Sequence, residues 1–212
     1  MTDPAPAVFV IDDDSAVRKA LGRLLRAAGF RTTAFASAEE FLARLHPDAP
    51  ACVVLDVRMP GMSGLDLQAE LAARRIEIPV LIVTGYAEVA LAVRAMKGGA
   101  FDFIEKPFSD QALLDRIRAA VALDEESRRH RAARQEVAAR LRLLTARERD
   151  VLTRVVTGKS NKVIAAELQL STKTVEVHRS HVMEKLKADS LADLIRLSLL
   201  ATEDDASGPP RT

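Results

Sequence analysis

Val8-Phe9-Val10-Ile11-Asp12-Asp13-Asp14 and Cys52-Val53-Val54-Leu55-Asp56 are the two stretches that decide the fold, because in each an apolar run ends in acid. If the two runs are neighbouring parallel strands, their carboxylates converge at one edge of the sheet. Clustered carboxylates repel one another, which raises their proton affinity unless a cation neutralises them, and oxygen ligands suit Mg²⁺. The two stretches therefore predict a site for a metal ion and a phosphoryl group.

A helix start is the other interpretation of the acid run. Asp and Ser are good N-caps, and Ser15 precedes a helical stretch at residues 17–28. We expect Asp14 to cap that helix. The acid run by itself leaves both interpretations open.

Two later apolar runs also end in polar residues. Residues 80–83 lead into Thr84, and residues 101–105 lead into Lys106-Pro107. Pro and Gly in the loop after Asp56 bar a helix until Leu65. Four successive strand ends thus carry Asp, Asp, Thr and Lys. Ligands of open α/β sheets bind beyond the carboxyl ends of the strands, so we expect the chemistry there.

This ordered series closely resembles the receiver domain of two-component response regulators, over about residues 8–123. The resemblance implies an α/β, doubly wound, flavodoxin-like domain with a five-stranded parallel sheet, and a phosphohistidine on a partner kinase as the phosphoryl donor. It implies Asp56 as the phosphoryl acceptor. It places Mg²⁺ on Asp13, Asp56 and the backbone carbonyl of Arg58, with Asp12 supporting the metal through water or through its ligands. The implied switch residues are Thr84, Phe103 and Lys106.

The residue types are consistent with that chemistry. A carboxylate can attack phosphorus to form an acyl phosphate, and Mg²⁺ with Lys106 would neutralise charge on the transferring group. Structural interpretations stay open, since Thr84 could cap the following helix and Lys106 could be a solvated strand end. Phe103 lacks a phenolic hydroxyl that could report the switch. The family often has a cis bond at the position of Lys106-Pro107.

Length and composition agree with two domains. The chain has 212 residues, 48% of them hydrophobic, which allows one or two packed cores. No apolar stretch is long enough to span a bilayer and no signal core follows the start, so we expect a soluble, cytoplasmic protein. The single cysteine, Cys52, cannot form an internal disulfide. Residues 1–122 have net charge −2 (14 Lys and Arg, 16 Asp and Glu), and residues 123–212 have +3 (17 against 14). This excess does not by itself establish nucleic-acid binding.

A long stretch without Gly or Pro lies between Pro107 and Gly158. Apolar residues keep helical spacing as far as Val121, after which residues 124–135 are rich in Arg and Glu. We predict one long helix that leaves the receiver domain, residues 6–122, and continues as a charged, solvated linker over residues 123–143. A flexible charged tether is the alternative.

The pattern changes to short helices in residues 144–203. Thr145-Ala146-Arg147-Glu148 has the form of a capping box, and Gly158 ends the helix that follows. A second short helix over residues 161–168, a tight turn and a third helix after Ser171 form a helix-turn-helix. The third helix has an inward face, formed by Val175, His178, Val182 and Leu186.

Three segments strongly resemble the LuxR-type DNA-binding domain, namely residues 145–149, 160–165 and 171–179. With the receiver, the whole chain resembles the FixJ and NarL class of response regulators. Glu176 departs from the cation that some relatives have there; it could accept a hydrogen bond from cytosine or pair with Lys173. The implied DNA contacts are Lys162, Lys173, Thr174, Glu176, Val177, Arg179, Ser180 and Lys185.

We therefore predict a phosphorylation-activated, DNA-binding transcriptional regulator and not an enzyme. The implied cofactor is Mg²⁺, and the implied partners are a sensor histidine kinase, promoter DNA, a second copy when phosphorylated, and RNA polymerase. One alternative is a receiver that only docks a protein, without DNA binding. Another is a haloacid-dehalogenase-like phosphohydrolase using Asp12 and Asp14, although the Gly-Thr or Gly-Val that usually follows is missing. Residues 1–6 and 204–212 are predicted to be disordered tails.

Overall fold

The chain divides into two compact units, residues 1–128 and residues 129–212. The structure, a computed structural model, describes residues 5–45, 49–85 and 89–206, with side chains as far as residue 200. Within these ranges no helix combines the length and the apolar character that a membrane span requires.

The first unit is a five-stranded parallel sheet in the order β2-β1-β3-β4-β5, with helices between the strands. The predicted doubly wound, flavodoxin-like fold is therefore confirmed. The strands are β1 (Ala7–Ile11), β2 (Arg31–Phe35), β3 (Ala51–Leu55), β4 (Val80–Thr84) and β5 (Asp102–Glu105). The helices are α1 (Ser15–Ala27), α2 (Ala38–Arg44), α3 (Gly64–Ala73), α4 (Val89–Lys97) and α5 (Asp110–Arg142).

Burial explains why the inner strands are continuous apolar runs. Strands β1, β3 and β4 are buried along their whole length, because one hydrophobic cluster covers each face of the sheet. Three phenylalanines, Phe9, Phe35 and Phe41, pack together in one cluster, and Leu25 and Ile117 lie in the other. The edge strand β2 is mostly exposed, so it has no apolar run, and the sequence pattern did not identify it.

Helix α5 runs from Asp110 to Arg142 and so extends through the predicted linker. Two residues of the predicted solvated linker are buried instead, so that part of the prediction is corrected. Asp124 is 1% exposed and accepts hydrogen bonds from the Ala51 backbone N–H at 2.8 Å and from Arg128 Nε at 2.7 Å, so it belongs to the first unit. Val137 is buried in the core of the second unit. Both ends of the predicted linker thus pack against a domain.

The second unit contains the end of α5 and four further helices, α6 (Ala146–Val156), α7 (Asn161–Leu168), α8 (Thr172–Leu186) and α9 (Leu191–Ala206). The predicted helix-turn-helix is confirmed as α7 and α8, which are joined by a turn with Gln169 at a φ of 57°. Helix starts follow their caps, with a complete capping box at Thr145 and Glu148. Helix α9 continues into the predicted C-terminal tail; the rest of that tail, and residues 1–4, lie outside the described residues.

Candidate functional site

Four residues from distant parts of the sequence lie at the carboxyl ends of the strands, and the side chains of three of them are in contact. Asp12 follows β1, Asp56 follows β3, Thr84 ends β4 and Lys106 follows β5. Parallel pairing aligns these ends: the Asp56 N–H donates to the Ile11 carbonyl at 2.9 Å, and the Lys106 N–H donates to the Thr84 carbonyl at 2.8 Å. The edge that the sequence predicted therefore exists.

Lys106 is bound by both carboxylates and is not a solvated strand end. Its Nζ lies 2.9 Å from Asp12 Oδ2 and 3.1 Å from Asp56 Oδ1. The side chains of Asp12 and Asp56 are only 5% and 10% exposed, whereas that of Lys106 is 26% exposed. One ammonium thus faces two nearly buried carboxylates. If both carboxylates are ionised, the three side chains together keep an excess of negative charge.

The pKa values of Asp56 and Lys106 are shifted by burial and by the charges of their neighbours. Burial raises the pKa of Asp56 above its usual value, the Lys106 ammonium opposes the rise, and the negative charge of Asp12 adds to it. Burial acts to lower the pKa of Lys106, but hydrogen bonds to Asp12 and Asp56 outweigh it, so the net direction is upward. Lys106 therefore stays cationic, while the Asp56 carboxylate would gain from a further cation.

The acid run after β1 contains both the expected helix cap, Asp14, and a residue that contacts Lys106, Asp12. Asp12 Oδ1 accepts from the Asp14 N–H at 2.8 Å, while its other oxygen faces Lys106. Asp14 is the N-cap of α1 and accepts from the Ala16 N–H at 2.7 Å. Asp13 lies between them with an exposed side chain.

A glycine that the sequence pattern identified only as a helix breaker, Gly64, has a steric role next to Asp56. A Cβ atom on Gly64 would lie 2.2 Å from the backbone oxygen of Asp56, so no side chain fits there. The Gly64 N–H donates to the Val57 carbonyl at 3.0 Å, and the Arg58 N–H donates to Asp56 Oδ2 at 2.8 Å. The loop after β3 is thereby folded closely around the Asp56 carboxylate.

The donor set at this edge fits Mg²⁺ in kind. No three Asp, Glu, His or Cys side chains among the described residues converge as a ready metal cage. Mg²⁺ is usually held by one or two carboxylates and retains several waters, so it does not require such a cage. The carboxylates of Asp13 and Asp56 and the backbone oxygen of Arg58 are hard ligands of that kind, and the buried charge of Asp56 calls for a cation.

The other two residues predicted to form the switch lie on β4 and β5. Thr84 is 1% exposed. Phe103 pairs in register with Ile82 and is half-buried against the same cluster as Leu91 of α4. The bond between Lys106 and Pro107 is cis, as the family resemblance led us to expect. Thr84 thus lies at the carboxyl end of β4, and Phe103 on the neighbouring strand lies on the face of the sheet that α4 covers.

A second candidate site is the outer face of α8. The inward residues Val175, Val182 and Leu186 are buried as predicted, and His178 is half-buried. Arg179 Nη1 lies 2.5 Å from Asn161 Oδ1, so the first residue of α7 holds the arginine beside a groove. The exposed residues of α8 on the predicted outer face are Lys173, Glu176, Val177 and Ser180. Thr174 is half-buried, and Lys162 is exposed on α7.

Lys185 is engaged inside the second unit. Its Nζ donates to Glu148 Oε2 at 2.7 Å, to Glu148 Oε1 at 2.9 Å and to the Leu143 carbonyl at 3.3 Å. These acceptors would compete with the phosphate contact that the sequence predicted. Glu148 is only 4% exposed, and its hydrogen bond with Lys185 lowers its pKa to about 2 against burial. The sequence identified Glu148 as a cap only, because its partner lies two helices away.

A parallel sheet with these acids and a helix-turn-helix define a receiver joined to a DNA-binding domain. Residues 8–118 match the response regulator receiver domain, and residues 142–198 match the luxR family of bacterial regulatory proteins. The chain belongs to the FixJ/NarL class of two-component response regulators, and these are transcriptional regulators.

Full-length relatives and solved structures support the assignment. Nodulation protein W of Bradyrhizobium diazoefficiens is 50% identical over 194 residues, covering 90% of this chain and 84% of the relative. The transcriptional regulatory protein FixJ of Azorhizobium caulinodans is 48% identical over 203 residues, covering 94% and 96%. The solved structure of the response regulator StyR is 44% identical, with a TM-score of 0.85, and covers 92% of this chain and 99% of that one.

Proposed function

We propose that the chain accepts a phosphoryl group on Asp56 from a sensor histidine kinase in the presence of Mg²⁺, then pairs with a second copy and binds promoter DNA in the cytoplasm. The observation that carries the proposal is the nearly buried Asp56 carboxylate, which shares the Lys106 ammonium with Asp12. A buried carboxylate with a fixed cation beside it is placed to attack phosphorus and to have the added charge neutralised.

In this proposal Asp13, Asp56 and the backbone carbonyl of Arg58 would hold the metal. Asp12 would support it through water or through these ligands. When bound, Mg²⁺ supplies positive charge next to the transferring group. Lys106 pairs with a phosphate oxygen in place of its present contact with Asp56. Its raised pKa supports that role, because the side chain is then charged at neutral pH.

The switch in this proposal runs from Thr84 to α4. Thr84 moves toward the phosphate and Phe103 repacks in the space that it leaves, which changes the surface formed by α4 and β5. Three apolar residues spaced one turn apart on α4 are exposed, namely Val89, Val93 and Met96, at 82%, 45% and 48%. An exposed apolar stripe of this kind supports pairing of two receivers through this side of the unit.

The DNA contacts in this proposal lie on α7 and α8. Lys173, Glu176, Val177 and Ser180 face the bases in the major groove, and Lys162, Thr174 and Arg179 contact the phosphates. Paired output domains read two half-sites about one helical turn apart. For Lys185 we propose that its main role is to fix α8 on α6 through Glu148, because that carboxylate already occupies its ammonium.

The direct test of this proposal is covalent phosphorylation of Asp56. Wild-type protein is incubated with acetyl phosphate and Mg²⁺, and the peptide that contains Asp56 is analysed by tandem mass spectrometry after borohydride trapping. We expect a modified Asp56 only when both reagents are present. Phosphate elsewhere, or no modification at all in the presence of Mg²⁺, would overturn the assignment.

Two substitutions on the DNA-binding face separate backbone contacts from base reading. Arg179→Ala should weaken binding to all sequences and lower the salt slope by about 1, because one phosphate contact is lost. Glu176→Ala should change the preference at one base position by about 1–3 kcal/mol. Selection from random DNA with phosphorylated protein, followed by salt titration, measures both effects.

The control is Arg196→Ala, which removes the same charge from α9, outside the helix-turn-helix, where Arg196 pairs with Asp193. It should change neither the base preference nor the salt slope. If the wild type shows no salt-dependent DNA binding in either phosphorylation state, the alternative of a protein-docking switch gains support and the DNA-binding proposal is wrong.

A further inference from the structure

The loop between β3 and α3, residues 57–63, carries Arg58 and begins at the acceptor. Its two ends are tied down by the chain near Asp56. The Arg58 N–H donates to Asp56 at the start, and the Gly64 N–H donates back to Val57 at the end. Ser63 forms a capping box with Asp66, which fixes the entry into α3. Between these ends, Met59 and Met62 pack their side chains against the hydrophobic cluster on one face of the sheet, and the backbone of the turn at residues 60–62 has a contact to another element.

Glu39 of α2 supplies a contact to that turn. Its Oε1 accepts a hydrogen bond from the Met62 N–H at 3.0 Å, across 23 positions of sequence. A carboxylate acceptor makes a stronger hydrogen bond than a neutral oxygen. The pKa of Glu39 is lowered first by a hydrogen bond from its own backbone N–H and then by the one from Met62, so both donors favour the charged form of the carboxylate.

The backbone of the turn is shaped to receive the carboxylate. Gly61 has a φ of +78°, a conformation that favours glycine. A Cβ atom at this position would lie 3.0 Å from Glu39 Oε1, which is too close for ordinary contact. The absence of a side chain at Gly61 therefore provides both the turn and the room for Glu39. Two separate features of the loop fit the same carboxylate.

The neighbouring acid on α2 does not share this geometry. Glu40 accepts a hydrogen bond from the Ala36 N–H at 3.0 Å and pairs with Arg44 at 3.0 Å. One partner thus belongs to its own helix, and the other lies just before the N-cap of that helix. Glu39 and Glu40 carry the same charge in the first turn of one helix. Of these two neighbouring carboxylates, only Glu39 is hydrogen-bonded to the loop, whereas Glu40 is held by Ala36 and Arg44.

We infer that Glu39 is a positioning residue for the acceptor site, which holds the β3–α3 loop through Met62 and thereby keeps Arg58 in place to complete the metal site. This inference rests on the proposed function, because it concerns the Mg²⁺ that phosphoryl transfer requires. Glu39 does not touch the reacting atoms. Because Glu39 acts through the loop, its removal should weaken metal binding and leave the reactivity of Asp56 at saturating Mg²⁺ nearly unchanged.

The test compares Glu39→Ala, Glu39→Gln and the matched control Glu40→Ala in the full-length protein. Mg²⁺ affinity of the unphosphorylated protein is measured by NMR titration, and exchange of the Met62 and Arg58 amide hydrogens is followed on the same samples. In Glu39→Ala, Met62 exchange should accelerate and Mg²⁺ affinity should fall about tenfold, the lower end of what lost support of a metal ligand costs. Glu39→Gln, which keeps an oxygen acceptor, should recover most of the affinity.

Phosphorylation by acetyl phosphate at varied Mg²⁺ gives a second measurement. In Glu39→Ala the Mg²⁺ concentration for half-maximal rate should rise, while the rate at saturating Mg²⁺ stays near that of the wild type. Equal weakening by Glu39→Ala and Glu40→Ala, or unchanged Met62 exchange, would overturn the inference and leave the proposed function intact. A wild type that binds no Mg²⁺ and gains no phosphate would overturn both.

Discussion

Asp56→Asn is expected to abolish phosphoryl transfer and, with it, the phosphorylation-dependent gain in DNA affinity. A carboxamide is a poor nucleophile, and the acyl phosphate cannot form without the carboxylate. In the wild type, pairing two DNA-binding domains on two half-sites should increase affinity by on the order of 100-fold. In Asp56→Asn, phosphate incorporation should fall to background. DNA affinity, measured with and without acetyl phosphate and Mg²⁺, should then be the same.

The matched control is Asp115→Asn on the exposed face of α5, where Asp115 pairs with Arg118 at 60% exposure. It removes the same charge from the same unit without touching the acceptor edge. It should be phosphorylated, should dimerise in analytical ultracentrifugation and should bind DNA like the wild type. An Asp56→Asn protein that still dimerises and gains DNA affinity with the phosphodonor would contradict the assignment of the acceptor.

The same substitution should not destabilise the receiver at neutral pH. Because burial raises the pKa of Asp56 above 3.8, the fold favours its neutral form, and ionisation costs free energy of folding. That cost is absent below about pH 3.8 and grows as the pH rises through the raised pKa. Asp56→Asn avoids it, so its free energy of unfolding should exceed that of the wild type at neutral pH, with the difference vanishing in acid. If Asp56 is the acceptor as proposed, its ionised carboxylate lowers the stability of the receiver at neutral pH.

Glu148→Ala is the substitution expected to affect the DNA-binding unit most. It removes a nearly buried carboxylate that accepts from Lys185 twice and from the Thr145 N–H at 2.7 Å. Losing one partner of a buried ion pair costs about 3–5 kcal/mol, and because Lys185 is 33% exposed and can regain water, we expect about 3 kcal/mol. Amide hydrogen exchange should show this loss in α6 to α8 and leave the sheet of the first unit unchanged.

Glu167→Ala is the control for this prediction. Glu167 also binds two cations, Arg154 and Lys159, but its side chain is 36% exposed. Exposed ion pairs contribute about 0–1 kcal/mol, so the variant should remain close to the wild type in stability. Equal losses from both substitutions would show that burial of Glu148 is not what matters.

The pH dependence of the Glu148 contribution has a definite sign. Because its pKa is lowered from 4.5 to about 2, the carboxylate stabilises the folded unit fully above pH 4.5, and this contribution is lost as the pH falls toward 2. The wild-type unit should therefore lose stability over that interval, and Glu148→Ala should lose less. A wild type whose second unit is equally stable at pH 5 and pH 2.5 would contradict the ion-pair assignment.

Most residues of the candidate site could be predicted from sequence, because ligands of parallel sheets bind beyond the carboxyl ends of the strands. Asp12, Asp56 and Thr84 follow or end strands that are buried along their whole length, and such strands are apolar runs that can be recognised one by one. Lys106 follows the edge strand β5, which is only partly buried but keeps the apolar residues Phe103 and Ile104. Strand β2 was missed for the converse reason. At the edge of the sheet most of its residues face solvent, so burial leaves no pattern in its sequence.

The helix starts of the second unit were also determined locally. Thr145, Ser160 and Ser171 each accept a hydrogen bond from a backbone N–H three residues on, a bond that depends only on spacing along the chain. The helix-turn-helix could therefore be predicted from short stretches of sequence. The partner of Glu148 could not, because Lys185 lies 37 residues away.

What the sequence alone determined was the class of protein, the order of its two domains and the polar residues at the carboxyl ends of four strands. Only the tertiary structure decided that Asp124 holds the start of β3, that Glu148 binds Lys185 and that Glu39 reaches Met62. The physical reason is that helix and strand periodicity and caps arise from neighbours in the chain and leave a repeating pattern. A hydrogen bond between distant segments depends on how the elements pack, and no local pattern of residues encodes it.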